Sequence, residues 1–471
     1  MSTVQDLAFL AQLDATAQAE LVARDELTAV ELLDACEARI SALEPLLNAI
    51  PILDKDRARA QSPGAGPFRG VPFLVKDVIP YPGLRWSLGS RLMAQNTAPF
   101  STPFSARLDA AGLVTIGKSA TSEFGLLGST ETMLEGVTHN PWDLARSAGG
   151  SSGGAVAAVA AGLVPIAHAS DGGGSIRGPA SMCGLFGFMP SRGRPVASGY
   201  ASSDFTDFVL NHCVTRSVRD SALFLSLVEE NAGAVGFVRG PSRRRLRIGA
   251  WTRTLCHGEP DPDVRHAHDR AVALVDELGH HVEEATPPAI DGAALGDAFF
   301  LIGGAMIADV VQTVERLRGQ PVRRDELEPF AWWVAENALR GGPEALAKAR
   351  ATVAAAERTY VEATARYDVV LTPTLAVLPW RLGHFSSFVP GEELMRRMRE
   401  AIGYTPIHNV VGCPAMSVPL HFTDGDIPVG AHFAAARGED ATLMALAYEL
   451  EEARPWAARH APFSCAKLLA S

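Results

Sequence analysis

The sequence predicts an α/β protein with a central mixed, twisted sheet covered by helices on both faces. Three observations carry that reading. Short apolar runs of strand length alternate with longer stretches of helical periodicity along most of the chain. The 471 residues are 47% hydrophobic and 20% charged, which supplies a large core and is unlike the composition of disordered chains. The glycine/serine clusters between Ser147 and Gly187 are flanked by apolar segments and not by polar linker sequence, so these loops are pinned inside the fold. No internal repeat appears, and the chain is read as a single domain over 1–471, with a core at 60–225 and a helical insert at 291–366.

From the N-terminus, Thr28 followed by Glu31 forms a capping box ahead of Leu32, Leu33 and Ile40, which recur at helical spacing. The loop QSPGAGPFRG leads into VPFLVKDV, whose apolar run reads as a buried strand over 71–75. FSARLDAAG then reads as a helix and LVTIGKS as a strand. An Ala-rich helix and a short strand separate the two glycine/serine clusters, and SVRDSALFLSLV is an amphipathic helix. LRIGAW, DPDVRHAHDRAVALVDELG and HHVEEATPP read as strand, helix, strand. The region 291–366 is helical by pattern and YDVVLTPTL is a further strand. MSVPL and PVGAHFAAA form a hairpin, and ATLMALAYELEEA is the last helix.

Lys and Arg total 42 against 53 Asp and Glu, a net charge of −11, which argues against nucleic-acid or anionic-membrane binding because both need a basic footprint. The dense basic cluster Arg243, Arg244, Arg245 and Arg247 reads as a solvated loop before a strand. The six cysteines are scattered without a CxxC pair, which argues against structural zinc and a disulfide framework. The first residues carry no basic leader into a long apolar run, and the apolar stretch 155–166 is too short to span a bilayer. A cytoplasmic protein without a membrane partner is the expectation.

Three polar sites stand out in apolar or glycine-rich surroundings. Lys76 ends an apolar strand, where burial would lower its pKa toward a neutral base, unless it snorkels or pairs with the adjacent Asp77. Ser151, in GGSSGG, immediately precedes a helix and reads either as a functional serine or as its N-cap. The same string fits GxSxG, but the nucleophile elbow needs an apolar strand just upstream, and THNPWDLARSA is a polar loop. Ser175 follows Gly172, Gly173 and Gly174. Consecutive glycines can aim several N–H groups at one point, as an oxyanion hole requires, although a tight turn before Ile176 would use the same residues.

Taken together, VPFLVKD, HNPWDLARS, GGSSGG and DGGGSIRGPASMCG resemble the amidase signature family, and the likeness runs from about residue 8 to 465, including GCPAMSVPLHFTDGDIPVGAHFAAARGED. The resemblance implies the amidase signature fold and hydrolysis of a C–N acyl bond, with no cofactor and no metal. By position it makes Ser175 the nucleophile, Ser151 a bridging serine held by a cis peptide, and Lys76 the buried base of a Ser-Ser-Lys relay. It makes the backbone of Gly172, Gly173 and Gly174 the oxyanion hole, with Ser152 and Arg177 supporting the relay. The N-terminal DATAQAELV and the C-terminal block are most similar to the branch containing 6-aminohexanoate-cyclic-dimer hydrolase. The implied partner is a small-molecule amide, with carbamates, anilides and aryl esters as further substrates, and a homodimer is the implied assembly. The rivals are a glutamine-hydrolysing amidotransferase A subunit, from whose GGSIRQPA pattern Gly178 departs, and a non-catalytic binding protein on the same fold.

Other residues weigh toward structure. His139, His168, His212 and His408 have no metal-ligand spacing, and Cys183 and Cys413 sit in apolar runs as core thiols. Phe299, Phe300, Met306, Phe330, Trp332 and Trp333 in the insert read as helix packing or as the wall of a substrate funnel. Phe385, Phe388 and Met395, in the loop after Trp380, are further pocket or lid candidates.

Overall fold

A computed structural model describes residues 4–199 and 203–469. Among these residues, eleven strands form one mixed sheet: β1 (Ile52–Leu53), β2 (Pro72–Lys76), β3 (Val114–Ser119), β4 (Ile166–Asp171), β5 (Phe186–Met189), β6 (Leu210–Thr215), β7 (Arg247–Ala250), β8 (His281–Glu284), β9 (Val369–Pro373), β10 (Ala415–Phe422) and β11 (Pro428–Ala435). Their order across the sheet is β1-β3-β2-β4-β6-β5-β10-β11-β9-β7-β8. The β3-β2-β4 and β9-β7-β8 ladders are parallel and the remaining ladders are antiparallel, as a mixed sheet requires.

The layering follows from strand alternation. Within β2, Leu74 packs with helices α1 (Ala29–Leu47) and α3 (Gly153–Ala160). Its neighbours Phe73 and Val75 pack with α2 (Pro103–Ala110) and α5 (Val218–Val228) on the opposite face. Side chains two apart share a face, so Lys76 continues the Leu74 side, toward α3 and the residues that precede it. Helix α4 (Arg177–Cys183) follows the second glycine cluster. At the start of α1 the capping box forms: Thr28 Oγ1 accepts from the Glu31 N–H and Glu31 accepts from the Thr28 N–H.

The insert consists of α6 (Gly292–Arg318) and α7 (Pro329–Thr364), which pack on each other; α7 bends at Gly342, just before Pro343. By length and composition α6 could cross a membrane, and half of its most apolar window is buried inside the protein. Two stretches read differently from the sequence expectation. Strands β5 and β6 lie where no element was predicted, and the segment after Trp380 carries α8 (Gly391–Ala401) and α9 (Pro406–Val411), so Met395 sits on a helix and not in a loop. Of the basic cluster, Arg244 pairs with Asp368, Arg245 with Glu449 at 2.5 Å and Arg247 with Glu283 at 2.6 Å, which spends that positive charge locally.

Candidate active site

Lys76 ends β2 with no exposed surface. Its Nζ lies 2.7 Å from Ser151 Oγ, 3.0 Å from Ser170 Oγ and 3.4 Å from the Ser170 carbonyl, all neutral groups. Burial is the dominant influence and lowers its pKa to about 7, only partly opposed by the negative field of Asp171. Asp77 is not its partner. Asp77 lies 3.4 Å from the second buried lysine, Lys118, and accepts from the Ser87 N–H and hydroxyl, while Lys118 Nζ also donates to the Ile79 carbonyl at 2.6 Å.

The two serines of GGSSGG do not cap α3. Ser152 occupies the N-cap position without a capping side-chain bond, and its hydroxyl donates 3.1 Å to the Ser170 carbonyl. Thr130 serves instead, its Oγ1 accepting from the Gly153 N–H at 3.1 Å and donating to the Gly149 carbonyl at 3.0 Å. Ser151, 2% exposed, is therefore free to face Lys76, and the Gly150–Ser151 peptide is cis. The glycine at 154 is obligatory: a Cβ there would lie 2.3 Å from the Ala120 nitrogen and 2.5 Å from the Ala49 carbonyl.

The second glycine cluster is gripped from two sides. Buried Asp171 accepts the Gly174 N–H at 2.6 Å and the Ile176 N–H at 3.1 Å, and it takes a two-pronged ion pair from Arg177 at 2.9 and 3.0 Å. Burial by itself would raise the Asp171 pKa; Arg177, Asn409 and the backbone donors outweigh it and hold the carboxyl at about 2. Arg177, also fully buried, donates further to the Thr405 carbonyl and to Asn409 Oδ1, and its NH1 meets His432 Nε2 at 3.0 Å. From the other side, Thr405 Oγ1 donates to the Gly173 carbonyl at 2.8 Å. The Gly173–Gly174 peptide is thus held at both its C=O and its N–H. Gly174 has φ +128°, and a Cβ there would lie 2.2 Å from Thr405 Oγ1.

Of the three glycines expected to form the oxyanion hole, Gly174 has its N–H committed to Asp171. Among the described residues, the amides of Gly172, Gly173 and Ser175 donate to no protein group. Ser175 is half-buried and opens with Ser151, Gly172 and Gly173 onto a cavity of about 790 Å3. Lys76, Ser151 and Ser152 are brought together around Ser170, and Arg177 underpins the loop that carries Ser175. Sequence reasoning passed over Ser170, Asp171, Thr405 and Asn409. The cue for Asp171 was an acidic residue at the end of a buried strand, which needs a partner such as Arg177.

Of the funnel candidates, Phe299, Phe300, Met306 and Met395 line the cavity. Phe330 is buried and stacks on Trp333, and Trp332 Nε1 donates to the Arg324 carbonyl. Phe385 is buried behind the cavity wall and Phe388 is exposed. His168, His212 and His408 are buried, with pKa values lowered to about 3 by desolvation; they meet Asn211, Ser221 and Tyr360 respectively, whereas His139 bonds the Leu144 carbonyl. Burial pushes the Cys413 thiol up to about 12 and the Cys183 thiol higher still, so both are inert. Among the described residues no group of three His, Cys, Asp or Glu side chains is placed to hold a metal ion.

The Amidase family profile matches residues 31–444. A putative amidase AmiC of Mycobacterium leprae (strain TN) is 37% identical over 455 residues, covering 95% of this chain and 96% of that protein. The 6-aminohexanoate-cyclic-dimer hydrolase of Paenarthrobacter ureafaciens is 35% identical over 483 residues, covering 95% and 96%. A solved structure of 6-aminohexanoate cyclic dimer hydrolase superposes with a TM-score of 0.87 at 30% identity, over 96% of this chain and 99% of that one. Fold, full-length similarity and the serine- and glycine-rich core agree, and the chain belongs to the amidase signature family, hydrolases that act on amides.

Proposed function

We propose that the protein is a serine hydrolase that cleaves C–N acyl bonds through an acyl-enzyme on Ser175, using Ser151 and Lys76 as a proton relay. The observation that carries this reading is the desolvated Lys76, without a carboxylate partner and 2.7 Å from the Oγ of Ser151, which lines the same cavity as Ser175. A serine hydroxyl is a weak nucleophile and needs a base, and a neutral amine is one. Ser175 Oγ bonds to the acyl carbon; its proton passes to Ser151 Oγ, whose own proton passes to Lys76 Nζ. As the tetrahedral adduct collapses, the C–N bond breaks and the nitrogen takes its proton from Ser151, which Lys76 restores. The released amine is neutral, and a water repeats the sequence on the ester to give the carboxylic acid and free Ser175. The amides of Gly172, Gly173 and Ser175 are donors suited to the negative oxygen that forms in both halves.

Because the acyl-enzyme accepts several leaving groups, carbamates, anilides and aryl esters belong to the same reading, and the excess of acidic residues favours neutral small molecules over nucleic acid. The test is a panel comprising an aliphatic amide, an anilide, an aryl ester, a carbamate, a cyclic amide and glutamine, run beside fluorophosphonate labelling. Hydrolysis of non-glutamine members with a single adduct on Ser175 is the expected result. Turnover of glutamine alone would favour the amidotransferase type, and neither turnover nor adduct would favour a binding protein.

Thr405 gives a finer expectation. Thr405→Val removes the hydroxyl that holds the Gly173 carbonyl. Loss of one such bond should lower kcat about tenfold with little change in KM, because the cradle matters most to the developing oxyanion. Thr405→Ser, which keeps the hydroxyl, should recover most of that loss, and steady-state kinetics on an anilide reads both.

A further inference from the structure

Resting on the reading of Ser175 as the nucleophile, we propose that the site is built for amides and esters whose acyl part is a long, uncharged, apolar chain laid along α6. The wall begins at the catalytic loop: a Cβ placed on Gly173 would lie 3.4 Å from Phe299 Cζ, so Phe299 packs directly against the oxyanion cradle. From there Phe299, Ile302, Met306, Val310 and Leu317, three to seven residues apart, line the cavity from one side of the helix. Phe299 and Ile302 are buried, with Phe299 against Phe205 and Phe208, whereas Met306 and Val310 are only half-buried and Leu317 is 83% exposed, so this stripe runs from the reacting centre outward to solvent.

Charge sets the length. Among the ionised side chains on the cavity wall, Arg350 pairs with Asp204 and Arg399 with Asp297, and the first ionised residue along α6 beyond Phe299 is Asp309. Ten residues of helix at ~1.5 Å each place Asp309 ~15 Å along the axis from Phe299. An extended chain advances ~1.2 Å per atom, so about twelve carbons span that apolar stretch. The acyl side, and not the amine side, is assigned to this wall because the relay lies elsewhere: a Cβ on Gly125 would lie 3.3 Å from Ser151 Oγ, which puts the group that protonates the leaving amine beside Gly125 and not beside Phe299.

The experiment is a series of p-nitroanilides of straight-chain alkanoic acids, from acetyl to tetradecanoyl, together with an ω-carboxylate analogue of the hexanoyl member. Each added methylene should raise kcat/KM roughly fourfold, chiefly through KM, as expected for transfer of a methylene out of water. The rise should level near about twelve carbons, and the ω-carboxylate should react at least about tenfold more slowly because its charge has no partner on that wall. Met306→Trp, with its melting curve measured beside wild type, should move the optimum to shorter chains. A flat or falling series, an ω-carboxylate faster than its parent, or labelling of Ser175 with no turnover of any member would overturn the acyl channel while leaving the serine-hydrolase reading intact. If fluorophosphonate also fails to label Ser175, that reading falls with it.

Discussion

Ser175→Ala is expected to abolish hydrolysis of every substrate, lowering kcat by roughly 10^4- to 10^6-fold, the range over which loss of a serine nucleophile acts. Four serines crowd this region, and the geometry distinguishes them. Ser170 Oγ lies 3.0 Å from Lys76 Nζ but on a buried strand, and Ser152 spends its hydroxyl on the Ser170 carbonyl. Ser151 is 2% exposed and its hydroxyl is engaged by Lys76, whereas Ser175 is half-buried, faces the cavity and carries an uncommitted amide. Hence Ser170→Ala and Ser152→Ala should cost no more than about tenfold, the effect of one lost hydrogen bond on the base. Ser151→Ala should cost about 10^2- to 10^4-fold, as for a removed proton-transfer group. Intact-protein mass spectrometry after fluorophosphonate treatment reads the nucleophile directly. An adduct that persists in Ser175→Ala, or a Ser170→Ala enzyme as dead as Ser175→Ala, would move the nucleophile elsewhere.

How much of this was legible in the sequence depends on how local each signal is. The Thr28–Glu31 capping box, the buried run ending at Lys76 and the glycine clusters all speak within a few residues, and the elements they predict formed. Strand Phe186–Met189 spans four buried residues with no alternation to mark it, and such short runs carry little periodic signal. Helix Gly391–Ala401 carried a readable cue, Leu394, Met395, Met398 and Ala401 on one face, hidden by the polarity of its other face. Whether Lys76 would pair with Asp77 was decidable in principle, because successive side chains along a strand point to opposite faces. What the sequence could not show is who meets whom across the fold. Thr405 and Asn409 reach the Asp171–Gly174 loop from more than 230 positions away, and those contacts fix the Gly173 carbonyl and the Asp171 carboxyl in place.

Activity should rise with pH and level off above neutrality, with the inflection set by Lys76. Desolvation lowers the lysine to about 7, so below that pH Lys76 is an ammonium with no lone pair to accept the Ser151 proton. The rate constant kcat/KM should therefore fall toward tenfold per pH unit on the acid side and be flat on the alkaline side, the sign required of a base and opposite to that of an acid. The charged and titratable groups around Lys76 do not share this window. Asp171 is held at about 2 and remains a carboxylate, and His168, whose Nδ1 accepts from the Lys76 backbone N–H, stays neutral at about 3. Lys118, lowered to about 8, titrates closer, yet its ammonium is engaged by Asp77 and the Ile79 carbonyl and does not face the cavity. Lys76→Met keeps the length and burial of the side chain while removing the base. It should lose about 10^3-fold in kcat/KM, and the rate of Ser175 labelling should fall in step and lose its dependence on pH. The profile from pH 5 to 10, recorded for wild type and Lys76→Met by both turnover and labelling, decides the matter: an inflection near 7 that survives in Lys76→Met would assign the base to another group, and a profile that falls as pH rises would exclude a neutral lysine altogether.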